Sequence, residues 1–346
     1  MRNDNVINGV FMTKRYISTS KFFVTILFLF ILCPLSFSEA QAASSYDNPD
    51  TIVVARDGTG EFRNIAEAIE VCRAFMDYHK VIYVKRGTYK EKLIIPQWLQ
   101  NIEICGEDRD QTIITYDDHA NINYPPTGKG MGTFRTYTVR VEGNAITFKN
   151  ITIENNAARL GQAVALHTEG DRLLFVNCRF LGHQDTIYTG TAGTRLYFRD
   201  CYIEGTTDFI FCPSTAWFEQ CTIHCKADSY ITAASTPQDI DYGYVFNNCT
   251  VTAAPNVSHV YLGRPWRDYG YTLFMNCTLP KEIRPEGWHH WQKEREQTAR
   301  YMEYNNRGEG ASTKQRVSWS RQLTKKEAQL ITLERVFSQK SEWMPE

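Results

Sequence analysis

Phe175-Val176-Asn177-Cys178, Phe198-Arg199-Asp200-Cys201, Phe218-Glu219-Gln220-Cys221, Phe246-Asn247-Asn248-Cys249 and Phe274-Met275-Asn276-Cys277 repeat one frame: an aromatic ring, then one intervening residue, an Asn, Asp or Gln, and a Cys. Phe148-Lys149-Asn150-Ile151 fits the same frame with Ile in the Cys slot. The Phe positions are separated by 27, 23, 20, 28 and 28 residues, and Leu99-Gln100-Asn101-Ile102 stands 49 residues before the first, or two coils. A period in this range indicates a solenoid. Each repeat carries short β-type alternation, such as Leu173-Leu174-Phe175-Val176, and is too short for a strand plus a crossover helix. The expected fold is therefore all-β, a parallel β-helix whose equivalent residues stack at the roughly 4.8 Å spacing of paired strands.

Working outward from that frame, the repeated cysteines fall at one inward position. Five cysteines in register suggest a disulfide or metal scaffold on one reading, and a column of small buried side chains on the other. Ile151 in the same slot and the lack of any Cys-x-x-Cys pair favour the column. At the N-terminal end Asn64-Ile65-Ala66-Glu67 has a capping-box pattern, so a capping helix is expected from about 64 to 77. Thr324-Lys325-Lys326-Glu327 repeats the pattern, so a C-terminal helix should run to about Phe337. The polar stretch between Trp288 and Ser320 reads as a tail folded back along the solenoid, without a domain boundary.

The chain has 346 residues, 42% hydrophobic and 22% charged, with a formal net charge of -1. That composition excludes bulk disorder and gives no surplus of basic groups for general nucleic-acid binding. Lys14, Arg15 and Lys21 precede an apolar run from Phe22 to Leu35, and Ala40-Gln41-Ala42 offers small residues for cleavage. This pattern is read as a secretory signal over residues 1–42 rather than a membrane anchor, because about 14 apolar residues fall short of the ~20 needed to cross a bilayer. Residues 43–346 are then expected as one domain, secreted or periplasmic, with no stable membrane anchor, and a solenoid capped at both ends is expected to stay a monomer.

Polar residues measured against the frame give the candidate site. Gln162 and Asp185 each fall 13 residues before the next ladder Phe, and Asp208 and Arg264 each fall 10 before theirs. Gln162 to Gln184 is 22 residues and Asp185 to Asp208 is 23, about one coil each. Stacking thus puts two amides and two carboxylates on one face. Like charges at neighbouring-coil distance cannot ionise equally, so one carboxyl becomes an acid and the other a base or nucleophile. Arg264 is expected to lower the pKa of Asp208, and the amides of Gln162 and Gln184 can donate to a developing oxyanion.

Five stretches in order carry a closer likeness: Gly87-Thr88-Tyr89-Lys90-Glu91, Gln162-Ala163-Val164-Ala165-Leu166, Gly182-His183-Gln184-Asp185-Thr186, Gly205-Thr206-Thr207-Asp208-Phe209-Ile210-Phe211 and Leu262-Gly263-Arg264-Pro265-Trp266. They resemble the ordered motif set of the pectin methylesterase (pectinesterase) family, and the similarity extends from Val54 to Ser320. The resemblance implies a right-handed parallel β-helix that hydrolyses the methyl esters of galacturonate units in pectin, with neither metal nor organic cofactor. It implies Asp208 as nucleophile, Asp185 as acid and base, Gln162 and Gln184 as oxyanion donors, and Arg264 as the partner that orients Asp208. Tyr188, Phe211 and Trp266 match family aromatics that line the sugar groove. Two positions depart from the pattern: Cys212 stands where the family has Gly, and Thr207 where Val or Ile is usual. If that Gly position needs φ > 0, Cys212 strains the turn.

The rival readings are a β-helix pectin lyase or polygalacturonase, and a non-catalytic polysaccharide-binding solenoid. A lyase needs clustered carboxylates for calcium, and Asp117-Asp118 reads as a solvated loop. A serine esterase lacks its Gly-x-Ser-x-Gly here. His289-His290 has no third metal ligand at a suitable spacing.

Overall fold

A computed structural model describes residues 51–338 and 342–345. The segment read as a secretory signal, residues 1–42, lies outside the described residues. The described chain winds as a parallel β-helix, each full coil giving one strand to each of three sheets, of eleven, seven and seven strands. In one coil Leu173–Val176 joins the first sheet, Arg179–Leu181 the second and Ile187–Thr189 the third, before Arg195–Arg199 returns to the first.

The repeated frame explains this winding residue by residue. The ladder phenylalanines pair in register from coil to coil. From Phe148 to Phe274 their ring centroids lie 5.6, 4.6, 4.7, 4.4 and 4.3 Å apart, with planes within 18° of parallel. Such stacking adds about 0.5–1.5 kcal/mol per pair beyond the burial itself. Two residues on, Asn150, Asn177, Asp200, Gln220, Asn248 and Asn276 all take φ between 51° and 57°. The chain turns there from the first sheet to the second, and short polar side chains tolerate the left-handed conformation by bonding locally. Asn177 Nδ2, for example, donates to Asn150 Oδ1 at 2.8 Å. The following cysteine points inward: Cys178, Cys201, Cys221, Cys249 and Cys277 are buried and free. Cys201 Sγ donates to the Phe175 carbonyl of the coil before at 3.4 Å.

The ends differ in detail from the expectation. The capping helix is shorter, Ile65–Glu70, and buries Ile65, Ala68 and Ile69 over the first coil. The Asn64 side chain makes no cap; the Glu91 carboxylate takes the N–H groups of Ile65 and Ala66 at 3.0 and 2.9 Å instead. A distant acid thus does the work assigned to the local box. Beyond the helix Phe75 is left-handed, φ 58°, and its N–H bonds the Trp98 carbonyl, so the backbone leaves helical geometry well before residue 77.

At the other end the Thr324 capping box forms, but the helix is two, Lys325–Gln329 and Leu333–Phe337, because Thr332 starts a second one by accepting from the Arg335 N–H. Val336 and Phe337 are buried against the outer face of the first sheet, among Tyr197, Trp217 and Val245. The stretch read as irregular tail contains a further strand, Arg300–Tyr304, paired in parallel with Tyr271–Met275. Its polar Glu303 hid that strand: Glu303 is buried and satisfied by Arg316 at 2.8 Å.

Candidate active site

The corner between the second and third sheets supplies four of the five polar groups. Gln162 precedes the strand Leu166–Thr168, Gln184 and Asp185 precede Ile187–Thr189, and Asp208 precedes Ile210–Cys212. Arg264 follows the strand Tyr261–Gly263. Leu166 pairs with Ile187, but Ala165 and Leu166 both donate to the Thr186 carbonyl, a bulge that shifts the register by one residue. Before the bulge Ala163 donates to the Gln184 carbonyl, which sets Gln162 level with Gln184. On the next coil Ile187 pairs with Ile210 and Asp185 N–H bonds the Thr207 carbonyl at 3.1 Å, so Asp185 stands level with Asp208.

Gln162, Gln184, Asp185 and Asp208 meet around a cavity of about 220 Å³ lined also by Thr133, Phe134, Phe211, Ala233, Trp266 and Trp291, whereas Arg264 does not line it and reaches it through Asp208. Asp185 and Asp208 are 8% and 5% exposed, so their carboxyls are nearly removed from water. Arg264 pairs with Asp208 alone of the two, with Nε at 3.0 Å from Oδ1 and Nη2 at 2.6 Å from Oδ2. A larger hollow of about 530 Å³ on the first sheet, next to Trp343, offers only the single carboxylate of Glu103 and no such pair. Among the described residues there is no group of three or more His, Cys, Asp and Glu arranged to hold a metal ion.

The electrostatics separate the two acids. Burial first, and then the charge of Asp208, push the Asp185 carboxyl well above the usual carboxylate range, with Arg264 opposing. Burial also raises Asp208, while the hydrogen bond and charge of Arg264 pull it down. Arg264 thus lowers the Asp208 pKa as expected, but desolvation of a carboxyl this deep outweighs the arginine and leaves it above its ordinary value. The ordering survives, because Asp185 has no such pairing.

Of the three aromatic candidates, Phe211 and Trp266 line the cavity, whereas Tyr188 lies beside it and packs edge-on against Phe211 and Phe134, each at 5.3 Å. Thr133, Phe134, Ala233 and Trp291 complete the lining without belonging to the polar set that the repeat arithmetic marks. Ala233 was within reach, since it is the register partner of Phe211. Trp291 and Phe134 come from segments outside the repeat, where counting coils gives no purchase. The two departures also find their place. Thr207 Oγ1 lies 2.9 Å from Ser229 Oγ on the next coil. Cys212 has φ 95°, a conformation in which any Cβ is strained, and its carbonyl accepts from Tyr244 Oη at 2.7 Å.

The sequence model of the Pectinesterase family matches residues 51–340. Pectinesterase 31 of Arabidopsis thaliana is 38% identical over 281 residues, covering 80% of this chain and 88% of that protein. Several other curated pectinesterase relatives are longer, and the chain spans about half their length. Among solved structures, the pectin methylesterase from carrot matches with a TM-score of 0.77 at 31% identity, over 83% of this chain and 92% of that one. A pectin methylesterase in complex with a hexasaccharide matches with a TM-score of 0.73 at 28% identity, over 85% and 98%. With the parallel β-helix, the in-register carboxyl pair and a family match over most of its length, the chain belongs to the pectinesterase family.

Proposed function

We propose that the cavity hydrolyses the methyl esters of galacturonate units in pectin through an acyl-enzyme on Asp208. The observation that carries this reading is the asymmetric pair: two buried carboxyls level with each other, only one of them bridged to an arginine. Asp208, held as a carboxylate by Arg264, adds one oxygen to the ester carbonyl carbon. The oxyanion so formed faces the Gln162 and Gln184 amides. As the intermediate collapses, the bond to the methoxy oxygen breaks and protonated Asp185 delivers its proton there, releasing methanol. Asp185, now ionised, takes a proton from water as its oxygen adds to the same carbon. The bond to Asp208 breaks, giving the free galacturonate acid, a carboxylate on Asp208 and a protonated Asp185. Phe211 and Trp266 offer apolar faces to the pyranose rings, with Tyr188 holding Phe211 from behind.

The same proposal includes export: residues 1–42 act as a signal, and residues 43–346 work outside the cytoplasm as one pectin-active unit without a membrane anchor. Methanol release from methyl-esterified pectin, unaffected by chelator, tests the chemistry. Unsaturated sugars without methanol, or a strict calcium requirement, overturn it. Sequencing the N-terminus of the exported protein tests the processing site after Ala42.

A further inference from the structure

Arg264 reaches Asp208 from between two aromatic rings. Its Cζ lies 3.9 Å from the ring centroid of Tyr230 and 3.8 Å from that of Trp291. Behind Tyr230 the stack continues with Tyr261, 5.3 Å away with planes 11° apart, and then with Arg284, 5.0 Å from the Tyr261 centroid. Tyr230 and Tyr261 are register partners on neighbouring coils. Tyr230 also holds the other member of the ion pair, since its main-chain carbonyl accepts the Asp208 N–H at 2.8 Å. One residue thus grips Asp208 by its backbone and Arg264 by its ring.

We infer that Tyr230 is a positioning residue for the esterase reaction: its ring, with Trp291 opposite, fixes the plane of the Arg264 guanidinium so that both Asp208 oxygens are engaged and the nucleophile is presented in one orientation. This rests on the esterase reading above. A bidentate arginine–carboxylate pair needs the two planes aligned, and an arginine on its flexible stem keeps that alignment only when something restrains it. Rings on both faces of the guanidinium leave its N–H groups only in-plane directions, and Asp208 occupies one edge. With one face removed the guanidinium tilts and a single hydrogen bond remains. A displacement of about 1 Å in a reacting group can cost roughly 100-fold in rate. The Tyr230 hydroxyl has no part in this.

Steady-state methanol release by the wild type, Tyr230→Leu and Tyr230→Phe tests the inference. Tyr230→Leu is expected to lower kcat by roughly 10- to 100-fold with KM within about twofold, and Tyr230→Phe to keep the wild-type rate. Wild-type kcat in Tyr230→Leu, an effect confined to KM, or an equal loss in Tyr230→Phe overturns it. A second readout needs no activity: the Tm losses of Tyr230→Leu and Arg264→Gln should be less than additive in the double variant if ring and guanidinium are coupled, and simple additivity counts against the clamp. If the wild type releases no methanol, the esterase reading falls while the thermal cycle still decides the contact. If Tyr230→Leu does not fold, Trp291→Leu replaces it in both measurements, and an unchanged kcat there overturns the inference.

Discussion

Asp185 and Asp208 share one backbone conformation a coil apart, with φ of 67° and 48°, and each stands two residues before a strand residue, Ile187 and Ile210, that pairs with the other's. The left-handed turn is what brings both carboxyls to the same cavity wall at the sheet corner. Asp is among the few side chains that accept such a turn, so catalytic type and local backbone demand coincide at both positions. What differs between them is the neighbour: Arg264 is hydrogen-bonded to Asp208, whereas on Asp185 burial and the partner's charge prevail over the more weakly opposing charge of Arg264.

That difference assigns unequal losses. Asp208→Asn is expected to abolish turnover, because an amide cannot form the acyl-enzyme. Asp185→Asn is expected to keep ester binding and slow methanol release by on the order of 10²–10⁴, the usual share of general acid–base catalysis. Trapping with hydroxylamine during turnover, followed by peptide mass analysis, checks the route, because the amine opens the mixed anhydride and leaves a hydroxamate on the carboxyl that was acylated. A hydroxamate on Asp208 supports it, one on Asp185 reverses the roles, and methanol release with neither favours direct attack by water.

The cysteine column gives a redox prediction. Cys178, Cys201, Cys221, Cys249 and Cys277 are free, and each Sγ is occupied by a carbonyl of the coil before, as for Cys249 with Phe218 at 3.3 Å. Alkylation of the unfolded, unreduced protein should modify all five. A disulfide between ladder neighbours would refute the column.

How far the sequence could be read follows from the repeat. Wherever one coil resembles the next, residue spacing alone carries position: the Phe stack, the Cys column and the level of Gln162 with Gln184 all follow from the repeat length. It does so for the last of these only because the bulge at Ala165 and Leu166 restores a 22-residue coil just where the amides stand. The segments carrying Phe134 and Trp291 lie outside the repeat and share no period with it. The strand Arg300–Tyr304 was hidden for another reason, a buried Glu303 whose partner Arg316 lies 13 residues away. A local pattern such as Asn64-Ile65-Ala66-Glu67 misleads because Glu91, directly after the strand Gly87–Lys90, supplies the cap from some two dozen residues away.

Cys212 carries a stability prediction that separates backbone from side chain. At φ 95° a Cβ of any kind is disfavoured, and the thiol itself is buried beside Phe211 and Ala233. Cys212→Ala removes the thiol and keeps the strain, whereas Cys212→Gly removes both. The glycine variant should therefore be the more stable of the two by about 1 kcal/mol, the reverse of the order at an ordinary strand position. Denaturant titration of both variants checks it, and alanine proving the more stable would show that the turn carries no strain.

The raised Asp185 carboxyl makes a further, thermodynamic demand. Its folded pKa lies well above the ordinary carboxylate value, chiefly through burial and then through the charge of Asp208. The folded protein thus binds this proton more tightly than the unfolded chain does. Stability from this group is complete below the unfolded value of about 3.9 and is lost as pH rises through the folded value, where the carboxylate must ionise in place. Asp208 has the same sign in weaker form, because Arg264 opposes the burial. Asn at 185 cannot ionise and escapes the penalty. The Tm of Asp185→Asn should accordingly exceed that of the wild type at neutral pH, and the gap should close as pH falls towards about 4. Asp208→Asn should not share the gain, since it strips Arg264 of its partner and leaves a half-buried cation unpaired. The sites that make the chemistry possible are then sites where the fold is weakened at the pH of use. Thermal scans of the three proteins from pH 4 to 8 settle the sign, and parallel curves for wild type and Asp185→Asn would mean that Asp185 titrates like an exposed acid and is not the proton donor.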